Sequence, residues 1–179
     1  RARSTNANPY ERFRRDHTRV LVRLGQLEAA MPGGRRPRVL REAPVRALIA
    51  HLERQFATHM AAEEEVLYPT LQQAFPEAGA SLRPLHQEHA DLRVMLAALT
   101  GTLQRPATRA RDEQVLVQVQ DFAELLRLHI RKEESFVFDL SERVLNSREL
   151  RGLARRLVPF IPANARRPQP SRTSRSRPS

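Results

Sequence analysis

The chain has 179 residues, no cysteine and a formal net charge of +11 at neutral pH. This length fits one domain with flanking segments, and the lack of cysteine excludes disulfides, thiolate-bound zinc and iron–sulfur clusters. No apolar run approaches the ~20 residues of a membrane span and the arginine-rich first residues do not form a secretory signal, so the expected location is the cytoplasm.

Much of the basic excess lies near the two ends of the sequence. Seven of the 31 basic residues fall in segments 1–8 and 164–179, which contain no acid, so the rest carries 24 basic and 20 acidic groups. We expect residues 1–8 to be flexible, residues 9–159 to form the folded domain and residues 160–179 to be a disordered basic tail. Because segment 164–179 has no aromatic residue for base stacking, only a weak, non-specific contact with nucleic acid is expected there.

Apolar residues spaced three and four apart predict four long amphipathic helices. The first extends over about residues 9–31, before Pro32-Gly33-Gly34, and the second over about residues 43–67. Their predicted buried faces are Phe13, His17, Val20, Leu24, Leu27 and Met31, and then Val45, Leu48, Leu52, Phe56, His59, Glu63 and Val66. Pro69 is expected to break the second helix and to leave a short helical turn around residues 70–74.

The third predicted helix begins near residue 81, with Pro84 in its first turn, and the fourth begins near residue 112. Their buried faces are Leu82, Leu85, His89, Leu92, Leu96, Leu99 and Leu103, and then Val115, Val119, Phe122, Leu126, His129, Glu133, Phe136, Leu140 and Val144. A short fifth helix follows Asn146, which can cap it together with Glu149. These elements predict an all-α, antiparallel up-down-up-down four-helix bundle with a short C-terminal fifth helix.

Two His-to-Glu pairs with a four-residue spacing carry most of the functional information. His59 is followed by Glu63, and His129 is followed by Glu133. On a helix this spacing places the imidazole and the carboxylate on one face. One such pair is typical of a surface ion pair, but two copies, each followed by a second Glu and an apolar run, favour a metal bridged between two helices.

Each predicted buried face also carries one histidine, and two faces add a glutamate. Burying Glu63 and Glu133 without partners costs several kcal/mol each, and no Lys or Arg lies on the four faces. Two divalent cations would supply the counter-charge and accept the imidazole lone pairs. Imidazole and carboxylate ligands suit iron, manganese or zinc. The alternative for a single histidine is a core residue hydrogen-bonded to a backbone carbonyl.

Four motifs occur along the chain in a fixed order: Asp16-His17, His59-x-x-x-Glu63-Glu64-x-x-Leu67-Tyr68-Pro69, Glu88-His89-Ala90-Asp91-Leu92, and His129 with Glu133-Glu134 before Phe136-Val137-Phe138. With these motifs the chain resembles the hemerythrin-like, or HHE cation-binding, proteins over about residues 10–158. The resemblance implies a four-helix bundle around a non-haem di-iron site bridged by two carboxylates and an oxo or hydroxo group. It implies that the ligands are His17, His59, His89 and His129, with Glu63 and Glu133 as bridges.

The sequence departs from the family pattern at two positions. Hemerythrins usually place two histidines four apart on the third helix, whereas His86 and His89 are three apart. Asp139 stands where the family often has proline, so the fourth helix is expected to continue unbroken. We include His86 in the predicted ligand set, and the alternative is a histidine on the helix face beside the site. Asp16, Glu64 and Glu134 are expected to orient ligands or to face solvent.

The number of histidine ligands bears on function through simple counting. Two six-coordinate irons offer twelve positions, of which the two bridging carboxylates fill four and the bridging oxo or hydroxo group fills two. Five histidines would leave one position open, which suits end-on dioxygen. Four histidines would leave two positions open, which is closer to a redox or reactive centre.

The resemblance implies a protein that holds two iron ions, and it favours iron over manganese or zinc. It implies binding or sensing of oxygen or redox state through dioxygen or another small diatomic ligand, or buffering of iron. One alternative is an enzyme, either a di-iron oxidase or a protein of nitric-oxide or iron–sulfur repair chemistry. Another is a nucleic-acid-associated protein that acts through its basic tail. Metal binding or sensing is favoured over catalysis.

Overall fold

Helices form nearly all of the part of the chain that the computed structural model describes, residues 9–31 and 40–160, and this part contains no β-strand. The α-helices are α1 (Tyr10–Ala30), α2 (Glu42–Ala62), α3 (Tyr68–Ala74), α4 (Ala78–Gln104), α5 (Arg109–Lys132), α6 (Phe138–Val144) and α7 (Ser147–Arg156). The predicted all-α class is confirmed. None of the helices in these two ranges has a stretch both long and apolar enough to cross a membrane.

Two helix ends differ from the predicted ones for local reasons. α5 begins at Arg109 because the Thr108 side chain accepts a hydrogen bond from the backbone N–H of Arg111. Pro69 does not end the second helical segment, since it lies in the first turn of α3, where proline is tolerated. The capping of α7 by Asn146 is confirmed. The predicted flexible residues 1–8, most of the first loop (32–39) and residues 161–179 of the tail lie outside the described residues.

Two π-helical turns, Glu63–Leu67 and Glu133–Val137, continue α2 into α3 and α5 into α6. At the end of each turn an amide bonds a carbonyl five residues back, from Tyr68 to Glu63 and from Phe138 to Glu133. In an α-helix residue i+5 lies about 140° around the axis from residue i, whereas residue i+4 lies about 40° away. The extra residue in each π turn therefore brings position i+5 close to the face of position i.

The second π turn changes which side chains are buried. Val137 and Phe138 have no exposed surface, whereas Phe136 is 38% exposed. The prediction that Phe136 lies in the buried face is wrong. It assumes α-helical spacing beyond Glu133, whereas the π turn shifts the buried face by one residue. The fourth helix continues without a break to Val144, as expected, but it passes through a π turn on the way.

Apolar side chains form two clusters with a polar layer between them. The first cluster includes α1 from Val20 onwards, α2 as far as Met60, α4 from Leu92 onwards and α5 as far as Ile130. The second cluster includes the beginnings of α1 and α4 together with residues of α3, α6, α7 and both π turns. Helix α1 packs against α2 and α5, and α4 packs against α5 and α2. The polar layer is thus enclosed by four helices and by apolar side chains on two sides.

Separate substitutions of Phe136 and Val137 test whether the second π turn shifts the buried face of the helix by one residue. Val137→Asn places an amide at a fully buried position and should lower the free energy of unfolding by about 3 kcal/mol. Phe136→Asn removes a larger side chain from a partly exposed position and should cost only about 1 kcal/mol. Urea denaturation of both variants measures the difference. A larger loss for Phe136→Asn would contradict the π turn.

Candidate metal centre

The polar layer contains one histidine from each long helix and the first residue of each π turn. His17 lies on α1, His59 on α2, His89 on α4 and His129 on α5, and all four side chains are buried. Glu63 and Glu133 begin the two π turns and have no exposed surface. Both clusters exclude water from these six residues, so their mutual electrostatic interactions are strong.

The six residues form two groups that share both carboxylates. The first group is His17, His59, Glu63 and Glu133, and the second is Glu63, His89, His129 and Glu133. Within each group the candidate ligand atoms all lie within 4.8 Å of one another. In the second group the Nε2 atoms of His89 and His129 are 3.0 Å apart, so both rings point to the same place. Ligand atoms of one ion lie about 3 Å apart, because each is about 2 Å from the metal.

Hydrogen bonding shows that these groups fit a cation. Five of their buried atoms have no hydrogen-bond partner: Nε2 of His17, Nδ1 of His59, both carboxylate oxygens of Glu63, and Oε2 of Glu133. Buried polar atoms are nearly always paired, because an unpaired one costs desolvation energy without compensation. Metal ions bound between imidazole nitrogens and carboxylate oxygens would satisfy four of these atoms, and the fifth, Nδ1 of His59, lies 3.7 Å from Asp16.

A second set of carboxylates supports the four histidines from behind. Each accepts from, or lies near, the Nδ1 atom of one ring. The distances are 3.0 Å from His17 to Glu134, 3.7 Å from His59 to Asp16, 2.7 Å from His89 to Glu64 and 3.0 Å from His129 to Glu88. Carboxylates of this kind keep the proton on Nδ1 and leave the Nε2 lone pair for a metal.

Cationic side chains in turn pair with three of these supporting carboxylates. Arg93 donates to both oxygens of Glu64 at 2.9 and 3.0 Å, and Arg19 donates to Asp16 at 3.2 Å. The Lys132 ammonium donates to Glu88. These three carboxylates are thus fixed from both sides, and their negative charge is balanced at the edge of the polar layer.

In the metal-free protein, neighbouring charges shift the pKa values of His59, His129 and Glu133. Burial alone lowers the pKa of His59, but Glu63 and Asp16 outweigh burial and raise it to about 10. The pKa of His129 is raised to about 9, since Glu133, Glu63 and Glu88 outweigh burial. Burial opposes the charged form of Glu133, yet His129 and His17 hold the pKa of that carboxyl well below its usual range. Imidazolium ions therefore supply counter-charge when no metal is bound.

Comparison with protein families identifies the chain. Residues 8–141 match the family described as the hemerythrin HHE cation binding domain, which is most of the chain and spans all four histidines and both shared carboxylates. The chain belongs to the hemerythrin HHE family. A comparison with curated proteins finds no match. The buried His/Glu groups of this HHE domain are suited to binding metal ions.

Of the seven residues predicted as ligands, the HHE domain brings six together and places His86 apart. His86 belongs to neither group. Its Nδ1 atom lies 3.1 Å from the Leu82 carbonyl oxygen, and its ring lies 4.9 Å from the ring of Tyr68. Nδ1 is therefore engaged with the backbone of the preceding turn, and the ring contacts a residue that itself touches the site.

Two residues that contact the site were not predicted. Glu88 supports His129, and the signal that could have found it is the acid–His pair that Glu88-His89 shares with Asp16-His17. The Tyr68 hydroxyl donates to Oε1 of Glu133 at 2.5 Å. Burial, and then the negative charge of Glu133, raise the pKa of Tyr68 well above its usual range, so the phenol stays protonated and donates.

The stability of the metal-free domain should fall as the pH rises from about 6.5 to 10. Both raised pKa values, about 10 for His59 and about 9 for His129, exceed the value of about 6.5 for an unfolded histidine. Their contribution is complete below about pH 6.5 and is lost as the pH passes through 9 and 10. Urea denaturation of chelator-treated protein across this range measures the loss, which should amount to a few kcal/mol.

The matched control for this pH series is the double variant Glu63→Gln/Glu133→Gln. It keeps the side-chain shape but removes the charges that raise the histidine pKa values, so most of the fall should disappear. An equal fall in the double variant would show that these carboxylates are not the partners of His59 and His129.

Proposed function

We propose that this protein holds a pair of iron ions and uses them to bind or sense dioxygen or another small diatomic ligand, or redox state. His17 and His59 bind one ion, His89 and His129 bind the other, and both ions share Glu63 and Glu133. His86 is not a ligand in this proposal. The observation that carries it is that two four-residue groups share the same two buried carboxylates.

Iron is proposed because the chemistry of the donor set and the family agree. Buried imidazole nitrogens and carboxylate oxygens suit iron, manganese and zinc, and the family is described as cation-binding. Within that set, iron is the metal that the hemerythrin resemblance implies. When bound, the iron pair supplies one-electron redox chemistry and positions for a small ligand. The chain supplies oriented imidazoles, two shared anions and a site from which the two apolar clusters exclude water.

The same proposal includes an antiparallel four-helix bundle as the framework of the site. Along α1 and α4 the second cluster comes before the polar layer and the first cluster comes after it. Along α2 and α5 the order is reversed. Neighbouring helices that reverse this order run in opposite directions, which supports the up-down-up-down arrangement.

A groove between α1 and α2 borders the site at His59. It has a volume of about 780 Å³, and its lining includes Asp16 and the buried His59. Four arginines also line the groove: Arg12, Arg19, Arg23 and Arg54. With four arginines against one carboxylate, the groove favours neutral or anionic small ligands over free cations.

Metal analysis of the purified protein tests the assignment of the ligands. The wild-type chain should contain about two iron ions, and His59→Ala or His129→Ala should each remove most of the iron. Each variant deletes one imidazole and leaves its neighbouring shared carboxylate poorly oriented. His51→Ala is the matched control, since His51 lies on α2 eight residues before His59 and belongs to neither group. Unchanged iron content in both ligand variants would contradict the assignment.

Oxygen exposure of the anaerobic ferrous protein tests the second half of the proposal. The visible absorption spectrum should change on adding oxygen and return when oxygen is removed, and His89→Ala should abolish the change. Continuous oxygen consumption with an added reductant would instead identify a di-iron oxidase. A spectrum that oxygen leaves unaltered would contradict ligand binding while leaving the metal assignment intact.

A further inference from the structure

The two halves of the chain contribute matching residues to the site, with one exception. His17 corresponds to His89, His59 to His129 and Glu63 to Glu133. The carboxylates that support the histidines correspond as well, Glu134 to Glu64 and Asp16 to Glu88. Five residues after each shared glutamate comes an aromatic ring that stacks on a histidine. Tyr68 stacks on His89 with a centroid distance of 5.9 Å, and Phe138 stacks on His17 at 5.7 Å. Only the ring of the first half carries a hydroxyl group.

That hydroxyl makes the two shared carboxylates different. The two oxygens of Glu63 accept no hydrogen bond. Its Oε1 lies 3.0 Å from Nε2 of His59, in the first group, and its Oε2 lies 3.5 Å from Nε2 of His89, in the second group. Glu63 therefore presents one oxygen to each group.

Glu133 presents a single oxygen to both groups. Its Oε2 lies 3.1 Å from Nε2 of His17 and 3.3 Å from Nε2 of His129, which belong to different groups. Its Oε1 accepts the hydrogen bond from Tyr68 at 2.5 Å. Because ligand atoms of a common ion lie about 3 Å apart, Oε2 lies at ligand distance from one histidine of each group.

The Tyr68 side chain is held firmly enough to impose this arrangement. It has no exposed surface, and its ring contacts those of His89 and His86, with centroid distances of 5.9 and 4.9 Å. The His86 ring is itself positioned by the contact between its Nδ1 atom and the Leu82 carbonyl. The π turn Glu63–Leu67 directs Tyr68 inward, because it brings position i+5 towards the face of Glu63.

We propose that Tyr68 is a positioning residue that makes Glu133 a one-oxygen bridge, while Glu63 bridges through both oxygens. This rests on the proposed pair of metal ions. A bridge through one atom holds two metal ions closer together than a bridge through the three atoms of a carboxylate. The phenol also withdraws electron density from Glu133, so this bridge donates less charge to the metals than Glu63 does. His86 contributes by fixing the tyrosine ring.

X-ray absorption spectroscopy at the iron edge measures the metal–metal distance in the iron-loaded full chain and in Tyr68→Phe. The variant keeps the buried ring and removes only the hydroxyl, which frees Oε1 of Glu133 to bind the second ion. We expect both ions to be retained and the metal–metal distance to lengthen. In the infrared spectrum, the separation between the two carboxylate stretching bands of Glu133 should narrow, as in other two-oxygen bridges.

Tyr10→Phe is the matched control. Tyr10 is as deeply buried, lies in the same apolar cluster and belongs to neither ligand group, so its variant should keep the wild-type metal–metal distance. Equal lengthening in both variants would attribute the change to loosening of the cluster and would overturn the inference. An unchanged distance in Tyr68→Phe, or loss of its iron, would also overturn it. If the wild-type chain itself lacks two irons, it is the proposed function that fails.

Discussion

Two glutamates, Glu63 and Glu133, lie in the protein interior with no exposed surface, and the structure around them is arranged to compensate for their charge. An uncompensated buried carboxylate costs several kcal/mol. Four imidazoles surround the pair, and in the metal-free protein two of them, those of His59 and His129, hold a proton for this reason. The same arrangement accepts metal ions, because a cation replaces those protons at the same nitrogen and oxygen atoms.

Much of the site could be predicted from the sequence because helical spacing determines which residues share a face. The sequence alone pairs His59 with Glu63 and His129 with Glu133, because four residues make about one helical turn. The π turns could not be predicted from the sequence. Each adds only one residue to the helix, and the apolar residues that follow it also fit the spacing of an uninterrupted α-helix. Continuing the α-helical period therefore selected Phe136, whereas the π turn buries Val137 and Phe138.

Contacts between different helices were the second gap in the prediction. Which carboxylate meets which histidine depends on how the helices are rotated and offset, and the spacing within one helix does not determine that. Asp16 and Glu88 each precede a histidine, yet each supports the histidine of the following long helix, His59 and His129. Tyr68 was missed for both reasons, since it lies beyond a π turn and its hydroxyl reaches a residue of another helix.

The difference between Tyr68 and Phe138 has a consequence for how such a centre can be encoded. Two copies of one helical hairpin, related by exact two-fold symmetry, would carry either two tyrosines or two phenylalanines at these positions. Both shared carboxylates would then have identical surroundings, as would the two metal positions. A single chain with two unlike halves escapes that restriction, so each half can change independently while the core of the site is kept.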